Sequence, residues 1–216
     1  MTPKVVVLSA PSGAGKTTIA RALVEQRRDV GHSVSATTRA PRSGERDGTA
    51  YHFLSRAEFQ RRVRAGELLE WAEYAGELYG TLRAEVERLI AAGRHALLDI
   101  EVEGARQVRR AYPPPRSVSV FILPPSAAAL LDRLRNRKTE TGAALARRLE
   151  RAVEELQAAP AYDHVVVNDE LERAVTDVSR IIDGVAPSDR REELHGTLTA
   201  LAESLAREAA GLRRVT

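Results

Sequence analysis

The sequence contains no cysteine, and this absence removes several classes of protein at once. A disulfide framework, a thiolate metal site and a cysteine nucleophile are all excluded. Aromatic residues make up only 4% of the chain, so no aromatic run offers a stacking platform for nucleic-acid bases. No run of about eighteen apolar residues occurs, so no membrane-spanning helix is expected. We therefore expect no nucleic-acid partner and no membrane partner.

A strong excess of charge of either sign is also missing. The chain has 216 residues, with 33 basic and 30 acidic side chains, a formal net charge of +3. This balance fits small phosphorylated ligands better than a cationic nucleic-acid surface. The length indicates one domain of ordinary size that carries inserts or a tail. Because the apolar stretch Val5 to Leu8 is too short for a signal-peptide core, we expect a soluble cytoplasmic protein.

Lysine is scarce, since only three of the 33 basic residues are lysines. One of them, Lys16, lies in the segment "APSGAGKT", Ala10 to Thr17, directly after a short apolar run. A lysine at this position favours a site that needs a compact ammonium group instead of a planar guanidinium.

Strand and helix patterns alternate along the chain, which is typical of an α/β fold with a parallel sheet. The patterns predict strands over residues 4–9, 32–36, 68–74, 95–100, 117–123 and 164–167. They predict helices over residues 17–26, 55–65, 83–92, 102–110, 127–137, 143–158 and 171–182. The stretch 37–48 has two glycines, a proline and three arginines, and it is predicted to be a loop beside an anion.

The segment "APSGAGKT" matches the phosphate-binding loop G-x-x-x-x-G-K-[ST], except that Ala10 replaces the first glycine. Small residues let backbone N–H groups surround phosphate oxygens, the lysine reaches the outer phosphates, and the Thr17 hydroxyl binds Mg²⁺. A glycine-rich turn without a ligand would explain neither Lys16 nor the hydroxyl beside it. The residues predicted to bind ATP here are Ala10, Pro11, Ser12, Gly13, Ala14, Gly15, Lys16, Thr17 and Thr18.

Five segments, in this order and spacing, resemble guanylate kinase from about residue 4 to residue 184. They are "SAPSGAGKT", "SVSATTRAPRSGERDGTAYHF", "LLEWAEYAGELYGT", "LLDIEVEGA" and "RKTET". The resemblance implies a P-loop NTPase three-layer α/β fold with a central parallel sheet, a GMP-binding insert and a helical lid. It also implies an enzyme that transfers the γ-phosphoryl group of ATP to GMP with Mg²⁺ as cofactor.

The same resemblance implies a division of the chain. A kinase-like domain covers residues 1–187. Residues 188–216 have no counterpart in the shared motifs, and their own pattern predicts a C-terminal helical extension. Within the domain the implied parts are a core at about 1–34, 82–126 and 159–184, a GMP-binding insert at about 35–81 and a lid at about 127–158.

For GMP, the resemblance assigns the phosphate to two arginines and two tyrosines, and the guanine base to Glu70. Guanine presents donors at N1 and N2 together, so a carboxylate that accepts both distinguishes it from adenine. The sequence pattern alone is equally consistent with a Glu70 side chain that faces solvent as an ordinary surface charge. The residues predicted to bind GMP are Ser35, Arg39, Arg42, Glu45, Tyr51, Glu70, Tyr79, Thr81, Asp99 and Glu101. Glu101 departs from the aspartate usual in the family by one extra methylene.

Phosphoryl transfer depends on positioning and charge neutralisation, so cationic side chains are expected to converge on the transferred group. By resemblance the predicted catalytic residues are Lys16, Arg39, Arg133, Arg137 and Arg148. Arg133, Arg137 and Asn168 are also predicted to bind ATP, with Asn168 beside adenine, and Asp99 is predicted to assist Thr17 at Mg²⁺. Lys138 replaces the glycine usual after Arg137. The alternative for the arginines is a basic amphipathic helix that faces solvent.

Two other functions stay open at this point. One is a non-catalytic guanylate-kinase-like module that binds phosphopeptides, although such a module is expected to lose the P-loop lysine or the lid arginines. The other is a P-loop kinase that acts on a phosphorylated sugar, for which guanine would be irrelevant.

The C-terminal extension is predicted to form a helix with one apolar stripe. Asp189 and Glu192 can form a capping box at its start. The stripe consists of Leu194, Leu198, Leu201, Leu205, Leu212 and Val215, and it is interrupted at Glu208. The stripe either docks on the kinase core or forms a homo-oligomer through the C-terminal helix, and both alternatives stay open.

Overall fold

The computed structural model describes residues 2–74, 76–135, 142–185 and 191–214, without the side chains at 143, 191–195 and 214. Its strands are β1 (Val5–Ser9), β2 (Val30–His32), β3 (Ser35–Thr37), β4 (His52–Phe53), β5 (Leu68–Tyr74), β6 (Glu77–Leu82), β7 (His95–Asp99), β8 (Ser117–Leu123) and β9 (His164–Val167). Its α-helices are α1 (Lys16–Gln26), α2 (Arg56–Arg64), α3 (Arg83–Ala91), α4 (Val102–Ala111), α5 (Ala127–Arg135), α6 (Gly142–Leu156), α7 (Leu171–Ile182) and α8 (Arg191–Arg214).

The central sheet is parallel, with the strand order β2-β7-β1-β8-β9. Every residue of β1 and β8 is buried, as the continuous apolar runs of these strands predict for a sheet covered on both faces. The predicted α/β class with a central parallel sheet is therefore confirmed. The chain divides into two compact units, one of Met1–Val7 and Leu23–Val118, the other of Leu8–Ala22 and Ser119–Thr216.

The predicted single strand over residues 32–36 is wrong, because this stretch contributes to two different sheets. β2 pairs in parallel with β7, whereas β3 pairs antiparallel with β6 and in parallel with β4. Between them, the Ser33 N–H donates to the Leu97 carbonyl, and the chain then leaves the central sheet. No glycine or proline separates the two strands, so the local sequence contains no sign of the change of partner.

The first unit holds a second, four-stranded sheet of order β4-β3-β6-β5. α2 and this sheet share a small apolar core around Phe59, with Ala36, Leu68, Leu78 and Leu82. The N-cap of α2 is the predicted Ser55, whose side chain accepts a hydrogen bond from the Glu58 N–H. This second sheet thus has a small core of its own, and its strands carry four of the predicted GMP residues: Ser35, Glu70, Tyr79 and Thr81.

The second unit holds the phosphate loop, β9 and the helices α5 to α8. α8 packs against α6 and also contacts α5. The stripe residues Leu198, Leu201 and Leu205 are buried. α8 therefore docks within its own chain, on the helices of the segment predicted to be the lid. Docking on the core was one of the two alternatives that the sequence left open, and the structure differs from it in the segment that α8 contacts. Leu194, Val215 and the capping box at Asp189 lie outside the described residues or side chains.

No α-helix in the described part of the chain is both long enough and apolar enough to cross a membrane.

Candidate active site

The loop between β1 and α1 is built around two glycines with positive φ, Gly13 at 90° and Gly15 at 98°. Residues other than glycine rarely adopt this conformation, so both positions depend on the missing side chain. A Cβ on Gly15 would also lie 2.3 Å from the amide nitrogen of Asn168. Lys16 begins α1, and Thr17 follows it exposed in the first turn. The loop therefore presents the positive end of a helix beside an ammonium and a hydroxyl group.

Two predicted ATP residues hold this loop from outside. The Asn168 side-chain amide donates to the Ala14 carbonyl at 2.7 Å, and Asn168 is buried. The Arg133 guanidinium donates to the Ala14 carbonyl and to the Asn168 carbonyl, both at 3.3 Å. The structure thus brings Arg133 and Asn168 together at the loop. The predicted contact between Asn168 and adenine stays a prediction. Because the amide nitrogen donates to Ala14, the amide oxygen is the atom that would accept a hydrogen bond from the adenine amine.

The other two arginines predicted to act with Arg133 belong to the segment predicted to be the lid. Arg148 lies half-buried on α6, whereas Arg137 and the neighbouring Lys138 lie outside the described residues. The same helix carries a residue that the sequence analysis missed. Glu155 is buried, and its carboxylate accepts a hydrogen bond from the Ser12 N–H at 3.3 Å. Its only sequence signal was its place in an amphipathic helix, which does not distinguish it from a surface charge.

In the first unit, the Arg-rich loop is organised around Arg39. One guanidinium nitrogen of Arg39 donates to both carboxylate oxygens of Glu45 at 2.9 Å. The guanidinium also lies over the Tyr51 ring, 5.4 Å from its centroid. The Tyr51 and Tyr79 rings meet edge-on at 6.0 Å. Four predicted GMP residues therefore form one cluster, which we call the Arg39 cluster: Arg39, Glu45, Tyr51 and Tyr79.

Electrostatics in this cluster favour the charged forms. Burial opposes the charge of Arg39, but hydrogen bonds with Glu45 and Tyr79 outweigh it and raise the pKa of the guanidinium. A hydrogen bond from the Arg42 N–H, followed by the one from Arg39, lowers the pKa of Glu45. The Arg42 side chain itself is exposed. The loop therefore holds one positioned cation in Arg39 and a second, solvent-facing one in Arg42.

Glu70 is buried, at 5% exposure, so its alternative reading as an outward-facing charge is wrong. The register of β5 shifts between Leu68 and Glu70, and the three consecutive residues 68–70 are all buried, which an alternating pattern does not reveal. The Thr81 hydroxyl donates to the Glu70 carboxylate at 2.6 Å, and Ser35 pairs with Thr81 across β3 and β6. The two hydroxyls predicted near Glu70 thus lie on adjoining strands.

Asp99 ends β7 and lies 2.9 Å from the His32 ring nitrogen at the end of the neighbouring strand β2. His32 is not among the residues predicted from the sequence, because only the pairing of β2 with β7 brings it to Asp99. Glu101 is the N-cap residue of α4, and its side chain makes no capping hydrogen bond. Asp99 and Glu101 therefore flank the turn between β7 and α4.

The protein groups near the phosphate loop fit an Mg²⁺ ion that binds together with a nucleotide. Mg²⁺ keeps several waters and is usually held by one or two protein groups together with substrate phosphates. Within the described residues, no group of three or more histidine, cysteine, aspartate or glutamate side chains could hold an ion by itself. Thr17 supplies one hydroxyl beside the phosphate loop, which matches the smaller protein share that Mg²⁺ requires.

The strand, glycine loop and helix, on a parallel α/β sheet, define the class of P-loop nucleotide-binding proteins. The guanylate kinase family model matches residues 2–185 of the chain. The chain therefore belongs to the guanylate kinase family.

Individual relatives agree with this assignment. The chain is 51% identical over 173 residues to a guanylate kinase from Synechococcus elongatus, covering 80% of this chain and 93% of the relative. It is 49% identical over 177 residues to a guanylate kinase from Symbiobacterium thermophilum, covering 82% and 83%. A crystal structure of guanylate kinase from Anaplasma phagocytophilum superimposes with a TM-score of 0.69 at 34% identity, covering 89% of this chain and 93% of that one. The extension from residue 186 lies beyond the family match.

Proposed function

We propose that this protein transfers the γ-phosphoryl group of ATP to GMP and releases ADP and GDP. The observation that carries this proposal is the buried Glu70 carboxylate, held by Thr81 in an insert that also carries the Arg39 cluster. A buried carboxylate needs partners, and the paired N1–H and N2–H donors of guanine supply two. Adenine offers no such pair at the same edge.

On the donor side, the phosphate loop would bind the ATP phosphates through its backbone N–H groups and Lys16. Arg133 already lies at the loop, where it would neutralise charge on the transferred group, together with Arg137 and Arg148 from the lid. Bound Mg²⁺ would add neutralising charge at the phosphate oxygens. Thr17 and Asp99 are the proposed ligands, and Lys16 and the arginines supply the protein's own part of the charge.

On the acceptor side, Arg39 would bind the GMP phosphate with Tyr51 and Tyr79. The contact with Glu45 holds the guanidinium in place before the phosphate arrives, so less side-chain entropy is lost on binding. Arg42, from the same loop as Arg39, would add a contact to the phosphate. Ser35, from β3, would add a hydroxyl group near the base. Glu101, at the start of α4, would contact the acceptor nucleotide. Its side chain is one methylene longer than the aspartate usual in the family.

Self-association through α8 is a separate matter. The burial of Leu198, Leu201 and Leu205 inside the chain favours the docked helix, since these side chains are the apolar stripe that an oligomer would need. ATP and GMP therefore remain the partners that the site itself requires.

A substrate panel tests the function. With Mg²⁺ and ATP, we expect rapid release of ADP when GMP is added, and release at least about 100-fold slower with AMP, CMP or UMP, because among these bases only guanine presents the N1–H and N2–H donors together to the Glu70 carboxylate. Equal rates with GMP and AMP would contradict the proposal. Turnover of a phosphorylated sugar without GMP turnover would favour the sugar kinase. Phosphopeptide binding without ADP release would favour the non-catalytic module.

A further inference from the structure

Gly104 occupies a place in α4 where glycine has no conformational reason to be. It lies in the first turn of the helix, and its φ is not among the positive ones of the described glycines. Alanine adopts the same backbone conformation at a lower cost, because glycine loses more conformational freedom in a helix. The reason for glycine at this position must therefore lie in what surrounds it.

The surroundings of Gly104 are the carboxylate of one residue. A Cβ built on Gly104 would lie 2.3 Å from Oε2, 2.9 Å from Cδ and 3.4 Å from Cγ of Glu70. We propose that Gly104 is a specificity-determining residue, because its missing side chain leaves the space in which the Glu70 carboxylate is held for guanine. This inference rests on the proposed function, in which Glu70 reads guanine.

The remaining contacts of Glu70 explain why this space matters. Oε1 accepts the Thr81 hydroxyl at 2.6 Å, so the carboxylate is fixed from one side while Oε2 lies against Gly104. The first turn of α4 also places the positive end of a helix near this negative charge. Since Glu70 is only 5% exposed, a methyl group on residue 104 would displace the carboxylate within a closed space. Hydrogen bonds weaken steeply with such changes in direction.

Two other glycines of the chain serve for comparison. A Cβ on Gly80 would lie 2.7 Å from the backbone carbonyl of Glu70, so a substitution there would disturb the strand itself. Gly196 lies in α8 with nothing within 4 Å of its Cβ position. Gly104 differs from both, because the atoms in its way belong to the end of a flexible side chain. Replacement at Gly104 should therefore move a functional group and leave the fold intact.

The experiment compares Gly104→Ala with Gly196→Ala, the same change in an open helical position. Steady-state kinetics are measured with GMP, with IMP, which lacks the 2-amino group, and with AMP, at saturating ATP. For Gly104→Ala we expect kcat/KM to fall about 10- to 100-fold for GMP, the usual cost of a lost hydrogen bond to a charged group. The values for AMP and the KM for ATP should change less than about threefold. Gly196→Ala should match the parent protein in all of these measurements.

A double-mutant cycle tests whether Gly104 acts through Glu70. In a Glu70→Ala background no carboxylate remains to be displaced, so adding Gly104→Ala should change kcat/KM for GMP less than about twofold. The thermal midpoint of the double variant should equal or exceed that of Glu70→Ala, because alanine suits the helix better. If Gly104→Ala alone folds poorly, the comparison of the double variant with Glu70→Ala still tests whether Gly104 acts through Glu70.

Three outcomes would overturn the inference: an unchanged preference for GMP in Gly104→Ala, an equal loss with all three nucleotides, or a full loss in the Glu70→Ala background. Each leaves the proposed function intact if the parent protein phosphorylates GMP. Absence of GMP turnover by the parent protein would instead contradict the proposed function itself.

Discussion

At the residue scale, the predicted site residues include charged and polar side chains that neighbouring groups hold in position. Arg39 is held by Glu45, Asn168 by the Ala14 carbonyl, and Glu70 by Thr81. Each contact fixes a rotamer before a substrate binds, which lowers the entropy lost on binding. Single substitutions that keep the shape and remove the charge should therefore affect chemistry or selectivity more than stability.

Replacing Lys16 by methionine should lower kcat at least about 100-fold, because the ammonium group stabilises charge on the phosphates during transfer. The matched control is Lys4→Met, which removes the same charge at the start of β1. We expect that control to keep activity within about twofold of the parent. Rates of ADP release at saturating ATP and GMP measure both. Near-normal kcat in Lys16→Met would assign the phosphate charge to the arginines alone.

Replacing Glu70 by glutamine should reduce the preference for GMP over AMP about 10- to 100-fold. The amide nitrogen then presents a donor to a donor of guanine, and the pairing of a charged acceptor is lost. The ratio of kcat/KM for the two nucleotides measures the effect, and KM for ATP serves as the internal control. If the ratio stays at the parental value, another residue reads the base.

At the scale of single elements, α2 and α8 show two ways in which a polar sequence supports a helix. α2 has a capped start and a cluster of ion pairs on its surface, in which Glu58 binds Arg61 and Arg62. α8 instead relies on an apolar stripe packed on α6, with an exposed ion pair between Arg213 and Glu150. Exposed pairs contribute little, so burial of the stripe is the main support of α8.

The pH dependence of α2 follows from Glu58. Hydrogen bonds from Arg61 and then Arg62 lower the pKa of Glu58 from 4.5 to about 2. A carboxyl group with a lower pKa in the folded state stabilises that state above pH 4.5, and this contribution is lost as the pH falls towards 2. Side-chain carbon NMR should show a Glu58 midpoint well below 4.5, moving upwards in Arg61→Gln and at high salt. A midpoint independent of both would contradict the ion-pair origin of the shift.

At the scale of the whole molecule, the residues proposed to bind ATP and those proposed to bind GMP lie in different compact units. The phosphate loop, Arg133, Arg148 and Asn168 belong to the unit that contains α8, and the GMP residues belong to the other unit. α8 packs on α6 and contacts α5, within the same unit as the phosphate loop. Removal of the extension should therefore leave the GMP residues unaffected.

Ending the chain at Pro187 should give a monomer that still phosphorylates GMP but melts at a lower temperature than the full chain. The truncation exposes the faces of α5 and α6 that α8 covers, and each buried leucine contributes about 1.5–3 kcal/mol. Light scattering gives the mass, and thermal unfolding gives the stability. A full-length oligomer that becomes monomeric on truncation would show that α8 also mediates self-association. Loss of GMP turnover in a folded truncation would give the extension a role in catalysis.

The sequence by itself determined the phosphate loop, most helix and strand bounds and the family, because these features depend on local patterns. Gly13 and Gly15 mark a turn that only glycine adopts, and the apolar runs of β1 and β8 mark buried strands. The capping serine of α2 is readable for the same reason, since the hydrogen bond that it makes spans only three residues.

Only the tertiary structure decided which residues meet across long stretches of chain. His32 reaches Asp99 through the pairing of two strands, and Glu70 turns inward at a register shift that neighbouring residues do not signal. The role proposed for Gly104 also depends on tertiary structure. The carboxylate that occupies the space of its missing side chain comes from a strand 34 positions earlier in the sequence. Local patterns set the conformation of each segment, whereas contacts between distant segments depend on packing that no single segment encodes.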